Sequence, residues 1–307
     1  MTYTVKEIKV KSTDGIHTLS GIMYVPDGEA LGILHIVHGM TEYIDRYDHI
    51  MSAAAKFGFI ACGYDNLGHG KTVNSKDELG FIAHKDGWKY LVDDVNKFEL
   101  EVQKMYPDKK LFLLGHSMGS FISRLAAEKY GNSYSKVIFC GTGGPQKAAD
   151  LGLMLTSILK KTHGEKYISN AVDKIAFGAY NKKFEHISKY DWITKDRNVI
   201  DAYSKDEYCT FKFTVSAMHD LVKLSKTANR GMWFENMRKD LPILLIAGDS
   251  DPVGSYGKGV TKVYNGLKRH GCQVKMKLYE NCRHEILNDT CRNEVISDIL
   301  AFITEQK

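Results

Sequence analysis

The stretch Leu111-Phe112-Leu113-Leu114-Gly115-His116-Ser117-Met118-Gly119-Ser120 decides the fold. Its four leading apolar residues read as a buried strand, and Ser120 to Tyr130 reads as a helix. Between them stands G-x-S-x-G, a pattern that is weak alone and specific when a strand precedes it and a helix follows. To present a serine hydroxyl at the end of a strand, the chain must turn sharply, and Ser117 then sits in a strained backbone conformation. Small residues two before and two after it let strand and helix approach without Cβ clashes. The helix start adds free N–H groups and partial positive charge beside the hydroxyl.

A serine hydroxyl is a poor nucleophile until a base takes its proton, so an acid and a histidine should follow in the order Ser, Asp or Glu, His. The late buried run Pro242-Ile243-Leu244-Leu245-Ile246-Ala247 leads into Gly248-Asp249-Ser250-Asp251-Pro252-Val253-Gly254. Two carboxylates compete there. Asp251 is assigned as the acid because it lies further into the loop and Pro252 stiffens it from behind, whereas Asp249 suits a turn cap. The next strand, Val274 to Tyr279, runs into Glu280-Asn281-Cys282-Arg283-His284-Glu285, which supplies His284 as the base. His69 and His116 are read as structural. The tetrahedral oxyanion needs donors. One is the backbone N–H of Met118, and the other is the N–H of Met40, in the His38-Gly39-Met40 loop after the strand Leu34-His35-Ile36-Val37.

These stretches carry a resemblance. His38-Gly39-Met40-Thr41-Glu42 with Arg46-Tyr47, Asp65-Asn66-Leu67-Gly68-His69-Gly70, the Ser117 turn, Asp249 to Gly254 and Arg283-His284-Glu285 together resemble the α/β-hydrolases of the monoacylglycerol lipase and lysophospholipase group, with their serine-aminopeptidase-like (S33) relatives. The resemblance covers nearly the whole chain outside residues 146 to 238. It implies an α/β-hydrolase fold, Ser117, Asp251 and His284 as the triad, and Met40 and Met118 as oxyanion donors. It also implies that Glu42 and Arg46 help to hold a glycerol head group; a mutual ion pair is the alternative for these two. A histidine three residues after the catalytic one completes the head-group set in monoacylglycerol lipases. Here that position is Leu287, which puts monoacylglycerol specificity in question but not ester hydrolysis.

The rest of the chain fits an α/β protein. Eight strand-like runs lie near residues 5–11, 19–25, 32–37, 59–64, 110–115, 136–140, 243–248 and 274–279. The first two alternate like half-exposed antiparallel strands; the later ones are continuous apolar runs, as in parallel strands covered on both faces. Helical patterns at 47–57, 88–105, 118–130, 256–270 and 292–304 separate them, and this alternation means a parallel sheet flanked by helices. The core is assigned to residues 1–145 and 239–307, and 146–238 to a helical cap, or lid, inserted between the sixth and seventh strands. That segment is apolar around Leu151 to Leu159 and Phe211 to Leu224, consistent with an acyl-chain channel above Ser117, and carries sixteen Lys and Arg against eleven Asp and Glu. Transient contact of the cap with an anionic membrane surface is therefore one expectation, and ordinary scatter of solvated charge is its rival.

Composition narrows the class further. With 43% hydrophobic and 26% charged residues, the 307-residue chain reads as an ordinary globular protein. No basic stripe with interleaved aromatics points to nucleic acid. Met1 to Val10 lacks the apolar centre of a leader, and no run approaches the roughly 18 apolar residues of a span, so a cytoplasmic protein is expected. The six cysteines form no C-x-x-C and are read as free thiols. No metal or organic cofactor is required by the triad chemistry. The expected activity is serine carboxylic-ester hydrolysis of lipid-like esters, monoacylglycerols or lysophospholipids, through an acyl-enzyme. An S33-type aminopeptidase or a thioesterase would use the same triad, and a ligand receptor that keeps the triad but turns over slowly is the remote alternative. Serine at the nucleophile position excludes dehalogenase and epoxide-hydrolase chemistry.

Overall fold

The computed structural model describes residues 1–305. Its eight strands are β1 (Tyr3–Lys11), β2 (Thr18–Pro26), β3 (Ile33–Val37), β4 (Ile60–Tyr64), β5 (Leu111–His116), β6 (Tyr134–Cys140), β7 (Ile243–Gly248) and β8 (Val274–Tyr279). They form one sheet in the order β1-β2-β4-β3-β5-β6-β7-β8. β2 pairs antiparallel with β1 and β4, and every other pair is parallel. All eight expected strands are present, with ends that differ by no more than two residues.

The period of two along each strand divides the interior into two cores. Ile33, Leu111, Leu113, Val137, Phe139, Ile243 and Leu245 face one side. Leu34, Ile36, Phe112, Leu114, Ile138, Leu244 and Ile246 face the other. Both faces are covered, which is why these strands read as unbroken apolar runs. The helices in chain order are α1 (Asp48–Phe57), α2 (Gly87–Met105), α3 (Met118–Tyr130), α4 (Ala149–His163), α5 (Asn170–Phe177), α6 (Arg197–Lys205), α7 (Glu207–Thr210), α8 (Val215–Ala228), α9 (Gly231–Asn236), α10 (Lys258–Arg269) and α11 (Arg292–Thr304). Residues of α2, α3, α8, α9 and α10 belong to the first core, and those of α1 and α11 to the second.

The sheet order reverses at β3, whose neighbours are β4 on one side and β5 on the other. Such a reversal leaves a crevice beyond the carboxyl ends of the two diverging strands, where open α/β sheets bind ligands. The loops after β3 and β5 carry Met40 and Ser117. Between Cys140 and Ile243 the chain inserts α4 to α9 and no sheet strand. Within this insertion α4 lies on α8, which rests on α3 and α2. Trp233 and Phe234 of α9 are buried in the first core beside the sheet.

Asp220 of α8 meets the start of α2, where the amides of Gly87 and Trp88 donate to its carboxylate. Burial still pushes its pKa up to about 7. A folded-state value above the unfolded 3.8 means that this group stabilises the fold fully below pH 4, and that the contribution is lost as pH rises through about 7. Asp220→Asn, which keeps an acceptor for the amides and removes the charge, should therefore melt several degrees higher than the parent at pH 8 and nearly with it at pH 4. Thermal melts at the two pH values check this.

Candidate active site

Ser117 is the single residue between β5 and α3, with φ 52° and ψ −118°. This is the strained turn that the motif requires, and the flanking glycines show why no larger residue fits. A Cβ on Gly119 would stand 2.1 Å from the Val37 carbonyl oxygen, and one on Gly115 would stand 2.3 Å from the Gly119 oxygen. Strand, turn and helix pack backbone against backbone, and the Ser117 amide is tied to the Cys140 carbonyl of β6 at 3.0 Å.

His284 Nε2 lies 2.8 Å from the Ser117 hydroxyl. His284 Nδ1 lies 3.0 Å from Asp251 Oδ1. The second contact is bent, with the ring N–H not pointing along it; such contacts commonly straighten when substrate binds. Asp251 is fully buried and His284 nearly so. The Val253 amide also donates to Asp251 Oδ1 at 2.8 Å. Asp249, the competing carboxylate, accepts instead from the neighbouring Ser250 hydroxyl. The structure thus brings Ser117, His284 and Asp251 together from the ends of β5, β8 and β7. Met118 opens α3. Met40 follows Gly39, where an added Cβ would stand 3.0 Å from Ser117 Cβ, so the loop after β3 lies against the nucleophile. His38 braces that loop: its Nδ1–H donates to the Gly39 carbonyl, and its Nε2 accepts from the Asn66 amide. Burial holds both His38 and His69 below the ordinary histidine range, and hence neutral.

Glu42 and Arg46, expected at a head group, are engaged with protein groups. Glu42 Oε1 accepts from the Gly39 amide at 2.5 Å, the Tyr47 hydroxyl at 2.9 Å and His116 Nδ1 at 3.0 Å. Its Oε2 accepts from Arg46 at 3.1 Å. Arg46 in turn grips Glu285 with both terminal nitrogens, at 2.8 and 2.6 Å. Burial opposes ionisation of Glu42, but His116 and Arg46 outweigh it and hold the carboxyl well below its usual range. Burial likewise opposes the charge on His116, and Glu42 reverses it, raising the pKa. A protonated His116 donates at both nitrogens, the second to the His284 carbonyl at 3.3 Å. Leu287, at the position of the missing histidine, is buried in the second core.

Two features lay outside the reading of the sequence. Trp192, from the insertion, places its ring 5.2 Å from that of His284, opposite no periodic signal in the chain. Cys282 and Cys291 are joined by a disulfide with Cα atoms 6.7 Å apart. The reading of six free thiols is corrected at this pair, because the loop after β8 folds back on itself; Cys62, Cys140, Cys209 and Cys272 are free and buried. Among the described residues, no group of three His, Cys, Asp or Glu side chains is arranged to hold a metal ion.

The arrangement can transfer a proton from Ser117 to His284 and stabilise the resulting imidazolium with Asp251. The family model described as serine aminopeptidase, S33 matches residues 28–291. The chain belongs to that family of α/β-hydrolases. It is a hydrolase of the esterase and lipase type. The crystal structure of a thermostable carboxyl esterase from Bacillus coagulans, in complex with glycerol, superimposes with a TM-score of 0.91 at 31% identity, covering 98% of each chain. A monoglyceride lipase of Rattus norvegicus is 24% identical over 92% of this chain and 85% of its own length. A phospholipase of Bacillus subtilis is 25% identical over 89% of this chain and 95% of its own.

Glu42→Gln removes a buried charge that faces both His116 and Arg46. Breaking such a pair leaves an uncompensated partner, so the variant should lose about 2–4 kcal/mol of stability at pH 7. Because the Glu42 carboxyl is held below its ordinary 4.5, that stabilisation is present above pH 4.5 and fades as pH falls further. The gap between variant and parent in urea titrations should therefore stay level from pH 7 to about pH 5 and narrow as pH falls below 4.5.

Proposed function

We propose that the protein hydrolyses small-headed lipid esters, monoacylglycerols or lysophospholipids, through an acyl-enzyme on Ser117. His284 takes the hydroxyl proton as Ser117 attacks the ester carbonyl, and then gives it to the departing alcohol. Asp251 fixes the imidazole tautomer and stabilises the imidazolium. The amides of Met40 and Met118 receive the oxyanion. A water activated by His284 then releases the fatty acid. The observation that carries the reading is the chain of contacts from Ser117 through His284 to buried Asp251, at 2.8 and 3.0 Å.

In this reading residues 146–238 act as a lid, and the acyl chain lies between it and the core. Leu155 and Leu159 of α4, Phe177 of α5 and Leu221 of α8 support this. All are half-buried and pack on the same apolar cluster as Met118 and Phe121 beside the nucleophile. Leu151, Met154 and Ile158 recur on the outer side of α4 and are exposed, as are Ile168 and Ile175, with Lys147, Lys161, Lys166 and Lys174 also exposed nearby in the chain. An apolar face with a basic margin suits transient contact with an anionic lipid surface. No described helix is long and apolar enough to cross a membrane. Vesicles containing about 30% anionic lipid should retain more protein than neutral ones, and the difference should vanish at high salt.

The peptidase activity in the family's description needs an acidic anchor for a substrate amine. Three candidates in the insertion are already paired: Glu185 with Arg283, Asp173 with Lys212, and Glu165 with His84. That weighs toward esters. The test is hydrolysis of p-nitrophenyl esters from C2 to C16, with 1-monoacylglycerol, lysophosphatidylcholine and aminoacyl-nitroanilides alongside. Rates should peak at C8 or longer, and Ser117→Ala should lower kcat by about 10⁴ or more. A peak at C2 to C4 would remove the acyl channel from the reading, and turnover of nitroanilides alone would replace it with the peptidase.

A further inference from the structure

The residue before His284 is an arginine, and it is 5% exposed. Its guanidinium reaches away from the triad into the insertion. Arg283 Nη1 donates to the carbonyls of Asp191 at 2.5 Å and Thr194 at 3.2 Å. Nη2 donates to Glu185 Oε1 at 2.5 Å, and the group lies 4.6 Å above the Phe184 ring. One side chain thus gathers residues 184 to 194 around itself.

The same segment is joined to the base loop by backbone. The His284 amide donates to the Trp192 carbonyl at 3.4 Å and the Glu285 amide to the Ile193 carbonyl at 2.8 Å. Fully buried Asp289 accepts from the Arg283 amide at 2.8 Å with one oxygen and from the Lys195 amide at 3.1 Å with the other. The base loop between β8 and α11 contains no helix or strand of its own. The ring of His284 stands between His116 at 4.9 Å and Trp192 at 5.2 Å. One wall comes from the nucleophile turn, and the other from the insertion.

We propose that Arg283 is a positioning residue: it locks the Asp191–Lys195 segment of the insertion onto the base loop, and through Trp192 holds the His284 ring at hydrogen-bonding distance from Ser117. The inference rests on the serine-hydrolase reading above. It adds that residues 185–195 are a fixed part of the catalytic apparatus, so that any opening of the lid occurs elsewhere in the insertion. A lysine cannot replace the arginine, because one ammonium cannot span two carbonyls and a carboxylate in a planar fork.

The experiment compares wild type, Arg283→Ala, Arg283→Lys and Glu185→Gln. Glu185→Gln alters a half-exposed side chain and carries little folding risk. Two rates are measured: covalent labelling of Ser117 by a fluorophosphonate, which reads the triad without any ester substrate, and kcat and KM on a p-nitrophenyl ester. A shift of about 1 Å in a catalytic group can cost 100-fold, so Arg283→Ala should lose about 30- to 100-fold in both labelling rate and kcat, with KM moving less than about 3-fold. A cleft of about 350 Å³, lined by Lys183, Phe184, Glu185, Lys195, Ser250 and Arg283, opens at the site. Added guanidinium can therefore enter, and should restore Arg283→Ala several-fold. Arg283→Lys should recover only part of the loss, and Glu185→Gln should lose about 2- to 5-fold, since one hydrogen bond of the fork is weakened. Hydrogen exchange should show residues 185–195 and 280–291 losing protection together in Arg283→Ala. Labelling within 2-fold of wild type in a folded Arg283→Ala would overturn the proposal. So would a loss that follows a falling melting temperature and does not respond to guanidinium. A wild type that labels at Ser117 but cleaves no ester would sink the lipid-ester reading alone, with the labelling comparison still deciding the role of Arg283. A wild type that does not label would overturn both.

Discussion

The carboxylate of Glu42 accepts hydrogen bonds from the Gly39 amide, the Tyr47 hydroxyl, the His116 ring and the Arg46 guanidinium. These donors belong to different parts of the site. Gly39 precedes the expected oxyanion donor Met40, His116 precedes Ser117, and Arg46 passes the constraint on to Glu285, which follows His284. One buried anion therefore sets the relative positions of the loops after β3, β5 and β8. An apolar filling of the same space would cost less desolvation. It would not fix directions, because dispersion contacts are nearly isotropic and hydrogen bonds are not. Arg46 lies between the carboxylates of Glu42 and Glu285, and Glu42 raises the pKa of His116 beside it, so charges of opposite sign face each other, which is the condition under which buried charge is tolerable.

Much of the fold could be read in the chain because local and global signals agree. The runs Leu111–Leu114 of β5, Val137–Cys140 of β6 and Ile243–Ala247 of β7 are uniformly apolar, since successive residues enter opposite cores that are both dry. β1 is mostly exposed, and its alternation showed it. The insertion resisted reading in detail. α5, α6 and α7 are eight, nine and four residues long, below the length at which propensity alone stabilises a helix. Their positions are set by contacts with distant segments, such as the Tyr43 hydroxyl on Asp206 and the Tyr203 hydroxyl on the Thr41 carbonyl.

The same distinction applies to the candidate site. Ser117, Asp251 and His284 are legible as candidates because each follows a strand whose pattern is local, and Asp251 is separated from Asp249 by its place in a loop stiffened by Pro252. What the chain did not disclose are relations across long separations. Arg46 and Glu285 are 239 residues apart, so their pairing cannot be read from spacing along the chain. Trp192 and Arg283 belong to segments without periodicity, and neither residue type marks a catalytic role. The pairing of Cys282 with Cys291 depends on a loop conformation that their spacing does not imply.

Arg124 shows how the insertion is joined to the nucleophile. It lies two turns along α3 from Ser117 and is fully buried, with no carboxylate of the described residues paired to its guanidinium. It donates instead to Thr142 Oγ1 and the Gly143 carbonyl, where the chain leaves β6, and to the Ala228 carbonyl and Asn229 Oδ1, where it returns from α8. Its guanidinium also lies 4.1 Å above the Trp233 ring. Burial pushes its pKa down to about 9, which leaves it charged at neutral pH. A buried cation without an anion is costly, and five donors in one plane are the means by which a single side chain can reach both stems of an insertion. Both ends of the insertion are therefore tied to the helix that starts at Ser117, while its middle is tied by Arg283 to the loop that carries His284. Exposed apolar side chains occur on α4 (Leu151, Met154, Ile158) and α5 (Ile175), and also at Ile187 within the held segment and at Met232 of α9. The insertion is thus held to the site at two places, by Arg124 at its stems and by Arg283 at its middle.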